Sequence, residues 1–192
     1  MQNTNAKPSA APCSAFTRRI CVSAMLICIG VLLPQLFHVF GPAAGKALLP
    51  MHIPVFICGM VCGWQYGAAV GLVTPLISSL TFVMPVMFPT GVSMCAELCT
   101  YGAVCGLMFC RLFKKAPFPA RIYGSMAVAM LAGRAVSGCA KWLLLAGTES
   151  PLTWKAFIGA AFITAWPGIL LQLMLIPAVL LILKKTKIQF PI

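Results

Sequence analysis

The chain holds only two carboxylates, Glu97 and Glu149, and Glu97 stands inside a long apolar stretch. Tyr101 follows one helical turn later, so the two side chains share a face if the stretch is helical. A second apolar stretch carries Arg134, Ser137, Gly138 and Lys141 at i, i+3, i+4 and i+7, one stripe of a helix. Gly138 leaves room beside the two cations. Two cations, one carboxylate and the aromatics Tyr101, Trp142 and Trp166 would suit a small polar molecule with an anionic group and a ring. The alternative is that Glu97 and Arg134 simply neutralise each other across a helix contact. That would leave Lys141 unexplained, unless its long stem carries the ammonium to water.

Other chemistries are poorly served. Glu97 and Glu149 are too far apart in sequence to read as a hydrolytic pair. Gly41-Pro42-Ala43-Ala44-Gly45-Lys46-Ala47 resembles a phosphate loop, but it is one residue short between its glycines and has Ala where a magnesium-binding Ser or Thr belongs. Gly91-Val92-Ser93-Met94-Cys95 lacks the last glycine of a nucleophile elbow, and no HExxH occurs. These features argue against an enzyme and against autonomous ATP-driven transport. Ten cysteines and eleven methionines raise the idea of a soft-metal path. Yet Cys58/Cys62 and Cys95/Cys99 pair at helical spacing with no His or carboxylate beside them, so cysteine reads as a small apolar packing residue. No metal and no cofactor is expected. His52 reads as a helix-start or interface residue in preference to a ligand, and Gln172 as interhelical glue.

The elements that must position these residues follow from composition. Of 192 residues, 61% are hydrophobic and 8% charged, against about 25% charged in a soluble domain. Too few charges remain to cover a water-facing surface, so the bilayer is the main solvent, and soluble-enzyme, disordered and fibrous classes are excluded. The net charge of +12 does not read as nucleic-acid binding. The basic residues cluster between apolar runs, at Lys7, Arg18 and Arg19, at Arg111, Lys114, Lys115 and Arg121, and at Lys184, Lys185 and Lys187.

A bilayer core needs about 20 helical residues. Helix one is expected over Ile20–Phe40, too long for a signal-peptide core and therefore retained. From Lys46 to Glu97 no formal charge intervenes, and one helix of that length would reach about 75 Å. Gly63-Trp64-Gln65-Tyr66-Gly67 marks the break, giving a short helix two over Met51–Gly63 and helix three over Tyr66–Val83. Met84-Pro85-Val86-Met87-Phe88-Pro89 ends it. Helix four is expected over Thr90–Cys110, helix five over Ile122–Ala146 and helix six over Lys155–Leu183, kinked at Trp166-Pro167-Gly168. Gly147-Thr148-Glu149-Ser150-Pro151 reads as a turn. The expected fold is all-α: one six-helix transmembrane domain over 18–192, preceded by a floppy cytoplasmic tail over 1–17. Basic residues on the opposite side reduce to Lys46 and Lys155, which places both termini in the cytoplasm.

Depth then ties the unusual side chains together. At 1.5 Å per residue, Glu97 lies about 10 Å below the outer helix end, Arg134 about 18 Å, Trp166 about 15 Å and Lys141 about 8 Å. Polar groups from three helices meet in one layer of the outer half. Buried ionisable groups cost at least a few kcal/mol and mark partners or sites.

Several motifs resemble the S components of energy-coupling-factor (ECF) transporters: Leu49-Pro50-Met51-His52-Ile53-Pro54-Val55 with Gly59, Gly63-Trp64-Gln65-Tyr66-Gly67-Ala68-Ala69-Val70-Gly71, Ala96-Glu97-Leu98, Tyr101-Gly102, Gly133-Arg134, Pro167-Gly168, Gln172 and Ile176-Pro177. The likeness spans Ile20 to Leu183. It implies a membrane subunit that captures a vitamin or related micronutrient from outside and delivers it to a shared module of one transmembrane T subunit and two cytoplasmic ATPases. It also implies a pocket on the outer side formed by helices four to six, the same layer in which depth and spacing place the candidate binding residues Glu97, Tyr101, Arg134, Lys141 and Trp166. Small residues of helix one contact the T subunit in that family, which points to Ser23, Ala24 and Cys28, with Cys28 standing where a second alanine is usual. Such a stripe is equally at home in plain helix packing. Metal-binding relatives use the N-terminus, and Met1-Gln2-Asn3 with no early His does not match them.

The expected function is therefore the substrate-specific subunit of an ECF-type uptake system in a prokaryotic cell membrane, surrounded by lipid, with an anionic, pantothenate-like substrate favoured by the cation stripe. A stand-alone ion or metal channel or secondary carrier is the alternative, although the two halves show no inverted repeat. A scaffold without ligand would not retain such buried cations.

Overall fold

The computed structural model describes residues 15–38, 50–145, 159 and 166–185. Among them are six α-helices and no strand: α1 Ala15–His38, α2 His52–Cys62, α3 Trp64–Phe82, α4 Val92–Leu107, α5 Phe118–Leu145 and α6 Trp166–Lys185. Wider turns flank α4, over Met87–Gly91 and Met108–Leu112. The expected tail over 1–14, the loop carrying Lys46, the turn over 147–151 and most of the stretch from Lys155 to residue 165 lie outside the described residues. The helix already begins at Ala15, so the expected tail boundary at residue 17 falls inside α1.

Segments over Ala15–Phe37, Met87–Leu112, Phe118–Leu145 and Trp166–Lys185 are long and apolar enough to cross a membrane. α2, with 11 residues, rises about 16 Å and covers about half the hydrocarbon core. It ends at Gly63, whose φ of +104° lies where glycine is favoured, and α3 starts at once. The double-proline stretch ends α3 as expected. Val83 adopts φ +57°, costly for a β-branched residue. Ser78 and Ser79, in the last turns of α3, hold this loop by donating to the carbonyls of Met84 (2.7 Å) and Pro85 (2.6 Å). α5 begins earlier than expected, at Phe118, because Pro119 falls in its first turn, where a missing N–H costs nothing.

Packing follows from small residues. α2, α3 and α4 approach backbone to backbone: a Cβ on Gly102 would strike the Gly67 carbonyl, and one on Gly67 would lie 2.6 Å from the Cα of Gly59. Without hydrophobic driving force between helices in lipid, such close van der Waals contact holds them together. α1 lies against α2 and α3, α5 against α4, and α6 against α2 and α5. Phe56, Met60, Leu98, Phe109, Ile122, Met126 and Ile176 fill the interior. Met25, Leu32, Leu36, Leu143, Met174 and Ile182 face outward, as a protein dissolved in lipid requires. The chain is an all-α, multi-pass membrane protein.

Among the described residues, the basic side chains of these clusters gather at one end. Lys184 at the end of α6 sits 4.2 Å over the Phe118 ring at the start of α5. Arg121 stacks 4.0 Å over Phe109 and donates through Nε to the Phe109 carbonyl. Arg19 acts electrostatically on Cys110 from the start of α1. Arg111, Lys114 and Lys115 are exposed in the turn beside them.

The tight seam makes a prediction. Gly102→Val should cost about 3 kcal/mol by overpacking, lowering the melting temperature in detergent and broadening the size-exclusion peak. Leu143→Ala on the lipid face should leave both unchanged.

Candidate functional site

Glu97 is placed by α4 with its side chain turned inward, 5% exposed. One turn on, the Tyr101 hydroxyl donates to Glu97 Oε1 at 2.8 Å. Arg134 reaches across from α5, its Nη1 3.1 Å from the same oxygen. His52, in the first turn of α2, completes the ring with Nε2 4.0 Å from Oε1. Three helices thus converge on one carboxylate oxygen. Tyr101 is held by its ring, stacked on Phe56 at 5.1 Å and tilted against His52 at 5.2 Å. The ring fits only because residue 133 on α5 has no side chain; a Cβ there would collide with it. The Gly133-Arg134 pair therefore does two things at once. The glycine admits the aromatic ring, and the arginine answers the carboxylate behind it.

A cavity of about 360 Å³ opens beside this cluster, within the size range of small-molecule sites. His52 and Tyr101 form one wall. α5 supplies Ala127, Met130, Leu131 and Arg134, and α6 supplies Ile169 and Gln172. Most of the wall is hydrocarbon, with the polar cluster set into it. The α5 residues again fall at i, i+3, i+4 and i+7. They continue the expected stripe in the opposite direction, away from Lys141.

The structure brings part of the expected residue set together. Glu97, Tyr101 and Arg134 meet as one cluster. Lys141, two turns beyond Arg134, is half-buried and does not line the cavity. Trp166 is 58% exposed at the start of α6 and does not line it either; Ile169 and Gln172, one and two turns on, take that place. Trp142 is exposed. The stripe of two cations is thus reduced to Arg134, and its charge is met by Glu97. Arg134 and Lys141 share one helix stripe, but only Arg134 stands in the cavity wall.

His52 and Gln172 also stand in the cavity wall, although the sequence alone reads them as a helix-start or interface residue and as interhelical glue. The signal was there for both: an ionisable or amide side chain in an otherwise apolar helix. Both are 2% exposed and both line the cavity.

On α1, Ala24 and Cys28 are exposed, whereas Ser23 is buried with its hydroxyl 3.4 Å from Cys58 Sγ. Ser23 therefore faces the core, and the outward surface of this segment is formed by Ala24 and Cys28. Cys58, Cys62 and Cys105 are core residues. Among the described residues no three His, Cys, Asp or Glu side chains converge as a metal site would need.

A family model described as "ECF transporter, substrate-specific component" matches residues 18–180. No curated protein and no solved structure matches the chain. The match runs from the basic start of α1 to the last turns of α6 and takes in every helix that builds the cavity. The chain belongs to the substrate-specific components of ECF transporters.

Proposed function

We propose that this chain captures a vitamin or vitamin precursor from outside a prokaryotic cell and presents it to a T subunit and two ATPases. What carries the reading is the cavity itself: about 360 Å³ of apolar space among α2, α4, α5 and α6, with a buried Glu97–Arg134–Tyr101 cluster in its wall. A site of that kind takes a ligand whose bulk is apolar and whose polar groups are few and placed. Glu97, Tyr101 and Arg134 are the proposed binding residues. The basic end, with Arg19, Lys114, Lys115 and Lys184, supports a cytoplasmic placement of that end and of both termini. Exposed Ala24 and Cys28 support close docking of a partner helix on α1.

The charge balance bears on the substrate. With Arg134 matched by Glu97 and Lys141 off the wall, the cavity suits a molecule bringing no more than one charge. A pantothenate-like monoanion meets that condition by sharing Arg134 with Glu97.

Purified protein should show this in thermal melting with pantothenate, biotin, riboflavin and thiamine, which span one negative, zero and one positive charge. A compound present at 100 times its dissociation constant stabilises by about 2.7 kcal/mol, a clear upward shift. Failure of all four to shift the melt would count against the reading. Lys141→Ala should leave the affinity within about twofold, as expected for a side chain off the wall.

Glu97→Gln leaves Arg134 buried without its counter-charge and should cost about 3–5 kcal/mol of stability together with binding. The exchange Glu97→Arg with Arg134→Glu should recover much of the melting temperature but not the affinity. Full recovery of both, including uptake with the ATPase module, would make the pair purely structural.

A further inference from the structure

We propose that His52 is a substrate-contact residue of this cavity, accepting a hydrogen bond from a hydroxyl or amide N–H of the bound molecule. This rests on the binding reading above and extends it to α2. The His52 ring forms part of the cavity wall and is 2% exposed, and among the described residues neither Nδ1 nor Nε2 has a hydrogen-bond partner. Glu97 Oε1 is 4.0 Å from Nε2, beyond hydrogen-bond reach. The other members of the cluster are already matched, since Tyr101 donates to Glu97 and Arg134 pairs with it.

Buried polar groups are nearly always satisfied, because an unpaired one in a low-dielectric interior loses its water without replacement. A neutral imidazole carries one donor and one acceptor. The Glu97 carboxylate facing Nε2 favours the proton on that nitrogen, and Nδ1 is then the acceptor left to be matched. The ring is held by Tyr101 and by its place in the first turn of α2, so it is positioned before anything binds. A molecule with a hydroxyl or amide hydrogen at the edge of an apolar body would fill the space along Met130 and Ile169 and complete His52.

The chain has two histidines, His38 and His52, so imidazole ¹⁵N spectra of histidine-labelled full-length protein in detergent are simple to assign, with His52→Gln identifying the pair. The probe is whichever of pantothenate, biotin, riboflavin and thiamine raises the wild-type melting temperature. Its addition should shift the His52 nitrogens in a saturable manner. His52→Phe, which keeps the ring against Tyr101, should bind that compound about tenfold more weakly with an unchanged melt in its absence, and His52→Gln should recover part of the loss. A stabilising compound that leaves the His52 nitrogens unmoved, as when a water completes the ring, would overturn the assignment. So would a folded His52→Phe protein binding within about twofold of wild type. If His52→Phe does not fold, the wild-type spectra decide. If none of the four compounds stabilises the wild type, the binding reading fails and this assignment with it.

Discussion

A carboxylate inside an apolar bundle is the constraint around which this end of the molecule is arranged. Glu97 is buried, and its Oε1 takes a hydrogen bond from Tyr101 and an ion pair from Arg134. Each answer imposes a further demand. Tyr101 needs Phe56 and His52 to hold its ring and a bare backbone at Gly133 to admit it. Arg134 needs α5 at a fixed height and rotation against α4. The register of α2, α4 and α5 thus follows from one buried charge, and the cavity is what remains between that cluster and α6.

This arrangement explains why a lipid-dissolved bundle with so few polar groups can still be specific. Leucine-rich faces pack in many registers, whereas an ion pair with a fixed donor beside it does not slide without exposing charge to hydrocarbon. Lining such a cluster with Ala127, Met130, Leu131 and Ile169 leaves a mostly apolar surface in which a few polar atoms carry the direction. The same surroundings strengthen every electrostatic contact made there.

Much of the frame was legible in the residues. Charge-free runs, the Gly63–Gly67 break and the paired prolines located the helices, because length and turn chemistry act locally. Glu97, Tyr101 and Arg134 were legible because ionisable residues stand out against lipid. Lys141 and Trp166 stand off the wall of this cavity, because depth and a heptad-like stripe do not say which half of the stripe faces the neighbour. That depends on how α5 and α6 rotate against α2 and α4, a tertiary matter. Ser23 was read as outward for the same reason. His52 was undervalued since a lone histidine at a helix start has an ordinary capping role, and only the fold shows Glu97 and Tyr101 opposite it.

The seam of Gly59, Gly67 and Gly102 also divides the molecule mechanically. Where main chain rests on main chain, there are no rotamers to turn and no slack to take up. α6 instead meets α2 and α5 through long flexible side chains such as Gln172 and Leu180. The compliance of the bundle is therefore one-sided: guests of different girth must be accommodated by yielding of the α5–α6 wall, while the opposite wall serves as the anvil.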